Sequence, residues 1–154
     1  MLHGYLHHGD AFTSRYEDRE PLPIAWWEQR VQSGSDAPVQ VFGAFAESGE
    51  LLGVGAADFE SYEKIRHRSS LIGMCVLPQA RGQGAGYAIV NACIAAARAH
   101  PGTLQMDLDV TSTNLTAVRL YERCGFKTYG CKPAAIINQG TPHDKLLMWL
   151  DLSA

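Results

Sequence analysis

The chain has 154 residues, 46% of them hydrophobic, and a net charge of -3 at neutral pH, the profile of one compact domain over residues 1–154. Its 13 basic residues form no cluster and no apolar run reaches membrane-spanning length, so neither a nucleic-acid nor a membrane partner is indicated. Cys75, Cys93, Cys124 and Cys131 have neither zinc-like spacing nor the density of a secreted disulfide scaffold, and no secretory signal opens the chain, so a cytoplasmic setting is expected.

In chain order, Leu2 to His8 reads as a short helix, and Pro21 to Val31 carries Ile24, Trp26, Trp27 and Val31 at partly helical spacing. Val39 to Ala46 and Leu51 to Phe59 read as a hairpin around the Glu47-Ser48-Gly49-Glu50 turn. The polar segment Tyr62 to Arg68 leads into a strand over Ser70 to Leu77, whose apolar run Leu71, Ile72, Met74, Val76 and Leu77 predicts cover on both faces. A helix from Gly84 to His100 places Ala85, Ala88, Ile89, Ala92 and Ala96 on one face, small enough for close packing on a sheet. Leu104 to Val110 follows as a strand, Asn114 to Cys124 as a helix, and Phe126 to Cys131 and Lys145 to Leu150 as strands around a loop holding Asn138, Gly140 and Pro142.

The segment Val76 to Gly86, V-L-P-Q-A-R-G-Q-G-A-G, is built for an anion. Pro78 stops the strand, and Gly82, Gly84 and Gly86 permit a tight turn with close backbone approach. The helix behind it presents unpaired amides and the positive end of its dipole, to which Arg81 adds a forked cationic donor. It is not a Walker loop, because no lysine follows these glycines until Lys127. It is not a dinucleotide turn either, because the third glycine position falls on Tyr87. A glycine-rich turn without a ligand is the plain alternative.

Downstream, Asn114 to Phe126 reads N-L-T-A-V-R-L-Y-E-R-C-G-F. With R-G-Q-G-A-G, this resembles the GNAT superfamily of N-acetyltransferases, marked by [QR]-x-x-G-x-[GA] and N-x-x-A-x-x-L-Y-x-x-x-G-F. Arg81, Gly84 and Gly86 fill the first pattern, and Asn114, Ala117, Leu120, Tyr121, Gly125 and Phe126 the second. The resemblance is firm from Leu71 to Phe126 and loose outside it.

It implies an α/β fold with a central, mostly antiparallel mixed sheet and helices on both faces. Such folds open with a strand before the first helix, whereas this sequence starts inside that helix. The first strand is therefore expected to be missing, encoded upstream of Met1, or replaced by a neighbouring subunit. The implied co-substrate is acetyl-CoA, with no metal. Its pantetheine arm would pair with the splayed strand edge at Met74, Cys75 and Val76, and its pyrophosphate would rest on amides of Gly82, Gln83, Gly84, Ala85 and Gly86 beside Arg81. An amide near Val76 would polarise the thioester carbonyl. Tyr121 is the implied cofactor-contacting general acid, and Asn114, a natural helix cap, adds a cofactor contact.

The base is less defined. Leu108 to Asn114 aligns with the L-E-V-R-x-S-N stretch of protein N-terminal acetyltransferases, with Asp109 in the glutamate's place and Thr111 in the arginine's. Asp107, two residues earlier on the same strand face, competes with it. A solvated carboxylate pair is the plain alternative for both. His3, His7 and His8 lack converging ligands for a metal, and Cys75 reads as a buried structural cysteine rather than a nucleophile.

The expected function is direct acetyl transfer from acetyl-CoA to a primary amine of a small molecule or peptide. A non-catalytic acyl-CoA sensor and a Cys75 thioester hydrolase are the alternatives. Trp26, Trp27, the Tyr62 to Arg68 loop and the Ala134 to His143 loop are expected to wall the acceptor site, with Asp58 and Glu60 available to a cationic acceptor. Relatives are frequently dimers, so the resemblance also implies a homodimer.

Overall fold

The computed structural model describes residues 1–31, 34 and 37–153. Three short helices, α1 (Leu2–His7), α2 (Tyr16–Arg19) and α3 (Ile24–Arg30), precede the hairpin β1 (Val39–Phe45) and β2 (Leu51–Phe59). Strand β3 (Arg68–Val76) passes through a short turn at Pro78–Ala80 into α4 (Ala85–Ala99). Then come β4 (Gln105–Thr111), α5 (Leu115–Arg123), β5 (Lys127–Asn138) and β6 (Thr141–Asp151).

The six strands form one sheet in the order β1-β2-β3-β4-β6-β5, antiparallel everywhere except between β3 and β4. This is the mostly antiparallel mixed sheet that the resemblance implied, and among the described residues no strand precedes β1. Helices cover both faces. On one, Ile89, Val90 and Cys93 of α4 and Val118 of α5 pack with Met106 and Leu108 of β4 in the main apolar core. On the other, a Cβ at Gly4 of α1 would meet the Cys75 sulfur of β3 at 2.9 Å, so α1 lies directly on that strand. The Thr111 hydroxyl donates to the Asp10 carbonyl and ties the segment after α1 to β4.

Close approach between α4 and β2 rests on glycine. A Cβ at Gly55 would stand 2.6 Å from Ile89 Cγ2 and collide with the Met74 sulfur, and one at Gly53 would stand 3.1 Å from Ile89 Cδ1. The buried stripe of α4 is Ile89, Val90, Cys93, Ile94 and Ala97, not the alanine-led face that the sequence suggested, and Ala88 is exposed. Turning the helix this way buries its larger apolar side chains, each a greater gain than an alanine methyl.

Two further expectations are corrected. Strand β3 is not covered on both faces along its length, since Ile72 is 38% exposed. The stretch from Ala134 to His143 is not a loop, because β5 and β6 run on as a hairpin to Asn138 and Thr141, closed by Gln139 and Gly140. The break that hid it is a register shift between Lys132 and Ile136, which takes in Pro133 and the left-handed Ala134 (φ +46°). An edge strand tolerates such a bulge because one of its ladders is unused.

Candidate active site

The site begins where the sheet comes apart. Strand β3 pairs with β4 only over Arg68 to Ser70, against Gln105 to Asp107. Just beyond, the pairing of β3 with β2 shifts register between Val54 and Ala56, and Gly73 takes a φ of +63°. The extra residue bends β3, so its outer half leaves the parallel partner and exposes an unpaired edge. A cavity of about 890 Å³ fills the gap, lined by Ile72 to Val76 on one wall and Asp109 to Thr111 on the other.

At one end of this cavity lies the glycine turn. Gly82 and Gly84 have φ values of +74° and +87°, which L side chains adopt only with strain, and Gly84 caps α4. The first bond within α4 runs from the Ala88 amide to the Gly84 carbonyl at 2.9 Å, leaving the amides of Ala85, Gly86 and Tyr87 without helical partners. Arg81 lines the cavity here, its Nε donating to the Val76 carbonyl at 3.3 Å. Its Nη2 lies 2.7 Å from His8 Nε2 and must donate to it, which fixes a neutral imidazole with an unprotonated Nε2. Burial first, then the Arg81 charge, holds His8 below the usual imidazole range.

Of the residues expected at the site, Met74, Cys75, Val76, Arg81, Gly82, Gly84, Gly86, Asp109, Asn114 and Tyr121 line one continuous cavity. Gln83 and Ala85 do not: the Gln83 side chain bonds back to the Gln79 carbonyl at 2.6 Å, and Ala85 opens the helix behind the turn. Asn114 caps α5, its Oδ1 accepting from the Ala117 amide at 3.2 Å.

Tyr121 projects from α5 with 7% of its surface exposed, its ring edge-on to Phe126 at 6.0 Å. Burial drives its phenol far above the ordinary value, and the nearby Cys124, Cys93 and Asp109 push the same way, so it holds its proton throughout the physiological range. Burial also raises Cys75 against the opposing pull of the N-terminal ammonium and Arg81, so it stays a thiol.

The two strand aspartates separate. Asp107 accepts from Arg68 Nη2 at 2.8 Å and Nε at 3.1 Å in the stretch where β3 and β4 are still paired, and it does not line the cavity. Asp109 lies beyond the split, within the cavity, its Oδ2 3.2 Å from Lys145 Nζ.

The remaining wall was not foreseen. It includes Asp10 to Thr13 after α1, Lys145 of β6, and Arg119 and Arg123 of α5. The two arginines share a helix face at i,i+4 spacing, a signal present in the sequence. Lys145 carried none, because only strand pairing brings it opposite Thr111. Trp26, Trp27, Asp58, Glu60, residues 62–68 and residues 134–143 do not line the cavity. Trp26 instead meets the guanidinium groups of Arg19 and Arg30, which lie over its ring at 4.8 and 3.9 Å.

A parallel strand pair prised open beside a glycine-capped helix defines an acyl-CoA-dependent acyltransferase. Residues 5–126 match the Acetyltransferase (GNAT) family, and the chain belongs to that family of acetyl-CoA-dependent acetyltransferases. Its structure is similar to yncA of Salmonella typhimurium, solved with its cofactor acetyl-CoA, at 25% identity and a TM-score of 0.77 over 98% of this chain and 83% of that one. A phosphinothricin acetyltransferase of Sinorhizobium meliloti in complex with AcCoA shares the fold at 21% identity and a TM-score of 0.80, over 97% of this chain and 78% of that one. So does a ribosomal-protein-alanine N-acetyltransferase of Brucella melitensis, at 24% identity and 0.70, over 91% and 80%. No curated protein sequence matches significantly.

Proposed function

We propose that the protein moves the acetyl group of acetyl-CoA directly to a primary amine while both substrates are bound. The observation that carries this is the single cavity that joins an open strand edge, an anion-binding turn, a protonated phenol and a carboxylate. The pyrophosphate rests on the amides around Gly82 to Gly86 with Arg81, and Arg119 and Arg123 offer further cationic contacts to phosphate. The pantetheine amides pair with the free edge of Met74 to Val76, and a backbone amide there holds the developing oxyanion.

Asp109 accepts the proton that turns the acceptor ammonium into a nucleophile. The amine nitrogen then attacks the thioester carbonyl, the carbon–sulfur bond breaks, and the thiolate takes a proton from Tyr121. The proton lost as the amide forms restores the phenol. A buried phenol is a weak acid, but the same dry surroundings raise the proton affinity of the leaving thiolate, which keeps the transfer matched.

The test is thiol release from acetyl-CoA with a panel of amino acids, polyamines, aminoglycosides and peptide N-termini against an amine-free control. Release that requires an amine is expected. Equal release without amine would mean hydrolysis, and binding without release would mean a sensor domain.

A further inference from the structure

Among the described residues, Lys145 is the one buried cation in the cavity wall that the transfer chemistry leaves unused. Its side chain is 6% exposed, yet among the described residues its one partner is Asp109, which is 51% exposed. Burying an ammonium costs several kcal/mol unless it is well paired, and replacing such pairs by apolar groups is often stabilising. A half-solvated carboxylate at 3.2 Å on the edge of the cavity is a poor structural reason to keep a lysine there.

Both groups also have spare capacity. Asp109 Oδ2 and Lys145 Nζ form an ion pair at 3.2 Å, which leaves donors of the ammonium and the second carboxylate oxygen, Oδ1, open to a further partner. The two lie side by side on the wall opposite the open edge of β3, and Asp109 is near enough to Tyr121 to raise its phenol further.

We infer that the Asp109–Lys145 pair selects an acceptor carrying a carboxylate beside its amine, that is, a free α-amino acid. An α-amino acid holds its ammonium and carboxylate one carbon apart, the same adjacency in mirror order. Its ammonium meets Asp109, its carboxylate meets Lys145, and four alternating charges close on one another inside a cavity where such contacts are strong. A polyamine or aminoglycoside leaves Lys145 without a counter-charge and sets another cation near it. This inference rests on the transferase reading and names its acceptor class.

The experiment measures transfer from acetyl-CoA to the common α-amino acids and to the carboxamide of each, at equal free-amine concentration. Wild-type protein should favour the best amino acid over its carboxamide by roughly tenfold or more in kcat/KM, the effect of one charge-assisted bond, expressed mainly in KM. Lys145→Met should bring that ratio near unity, and Lys145→Arg should keep most of it. The ratio is internal to each variant, so partial loss of folded protein does not move it. A wild-type ratio near one, a ratio that survives Lys145→Met, or transfer only to amines lacking a carboxylate would overturn the inference while leaving the transferase reading standing. No transfer to any amine would instead overturn the transferase reading.

Discussion

At the scale of single residues, the contrast between Tyr121 and Cys75 defines what the cavity can do. Both are hydrogen-bearing groups beside the expected thioester, and burial raises the proton affinity of each. For a nucleophile this is disabling, because the thiolate is the reactive form. For a proton donor it ensures that the proton is present. Tyr121→Phe should therefore lower kcat by roughly a hundredfold, the range of a lost general acid, while acetyl-CoA binding changes little. Steady-state kinetics beside equilibrium titration checks this, and an unchanged kcat would return Tyr121 to a packing role. The same scale separates Asp107 from Asp109, alike in type and strand face but divided by the point at which β3 leaves β4. One is consumed by Arg68, and the other stands in the cavity.

At the scale of elements, the opening in the sheet depends on glycines that the turn motif does not contain. Gly73 supplies the left-handed residue at the bulge, while Gly53 and Gly55 let α4 settle on β2. Gly55→Ala should destabilise the protein by about 1–3 kcal/mol, the cost of overpacking, because the new methyl meets both Ile89 and Met74. Denaturant unfolding measures this, and a midpoint within error of wild type would show that Met74 and Ile89 yield freely. Since Met74 lines the cavity in which acetyl-CoA is proposed to bind, the same variant should also weaken acetyl-CoA binding.

At the scale of the whole molecule, the N-terminal segment meets the glycine turn through a contact that titrates. His8 accepts from Arg81, and Arg81, Asp10, His3 and His7 are the charged or titratable groups that act on it. Its value when folded lies below the ordinary 6.5, so the neutral ring contributes stability that is fully present above that pH. The contribution is lost as pH falls through the lower folded value. The thermal midpoint of wild type should accordingly drop more steeply below pH 6.5 than that of His8→Gln, which cannot titrate there. Parallel curves would show that the contact carries no linkage. Arg81 is also the cation expected at the pyrophosphate, so the docking of residues 1–13 and cofactor binding act on one side chain.

The sequence by itself determined the strand-turn-helix that can hold an anion, the cap at Asn114, the tyrosine about two turns into the helix behind that cap, and through them the family. These are local features, written in residues close together along the chain, where proline, glycine and asparagine have defined backbone consequences. Only the tertiary structure decided which aspartate faces the cavity, that the cavity is lined by Asp10 to Thr13 and not by Trp26 and Trp27, and that Lys145 stands beside Asp109. Those relations are set by the bulge in β3 and by the registers of β4 with β3 and β6, pairings between segments far apart in sequence whose alignment no local pattern encodes.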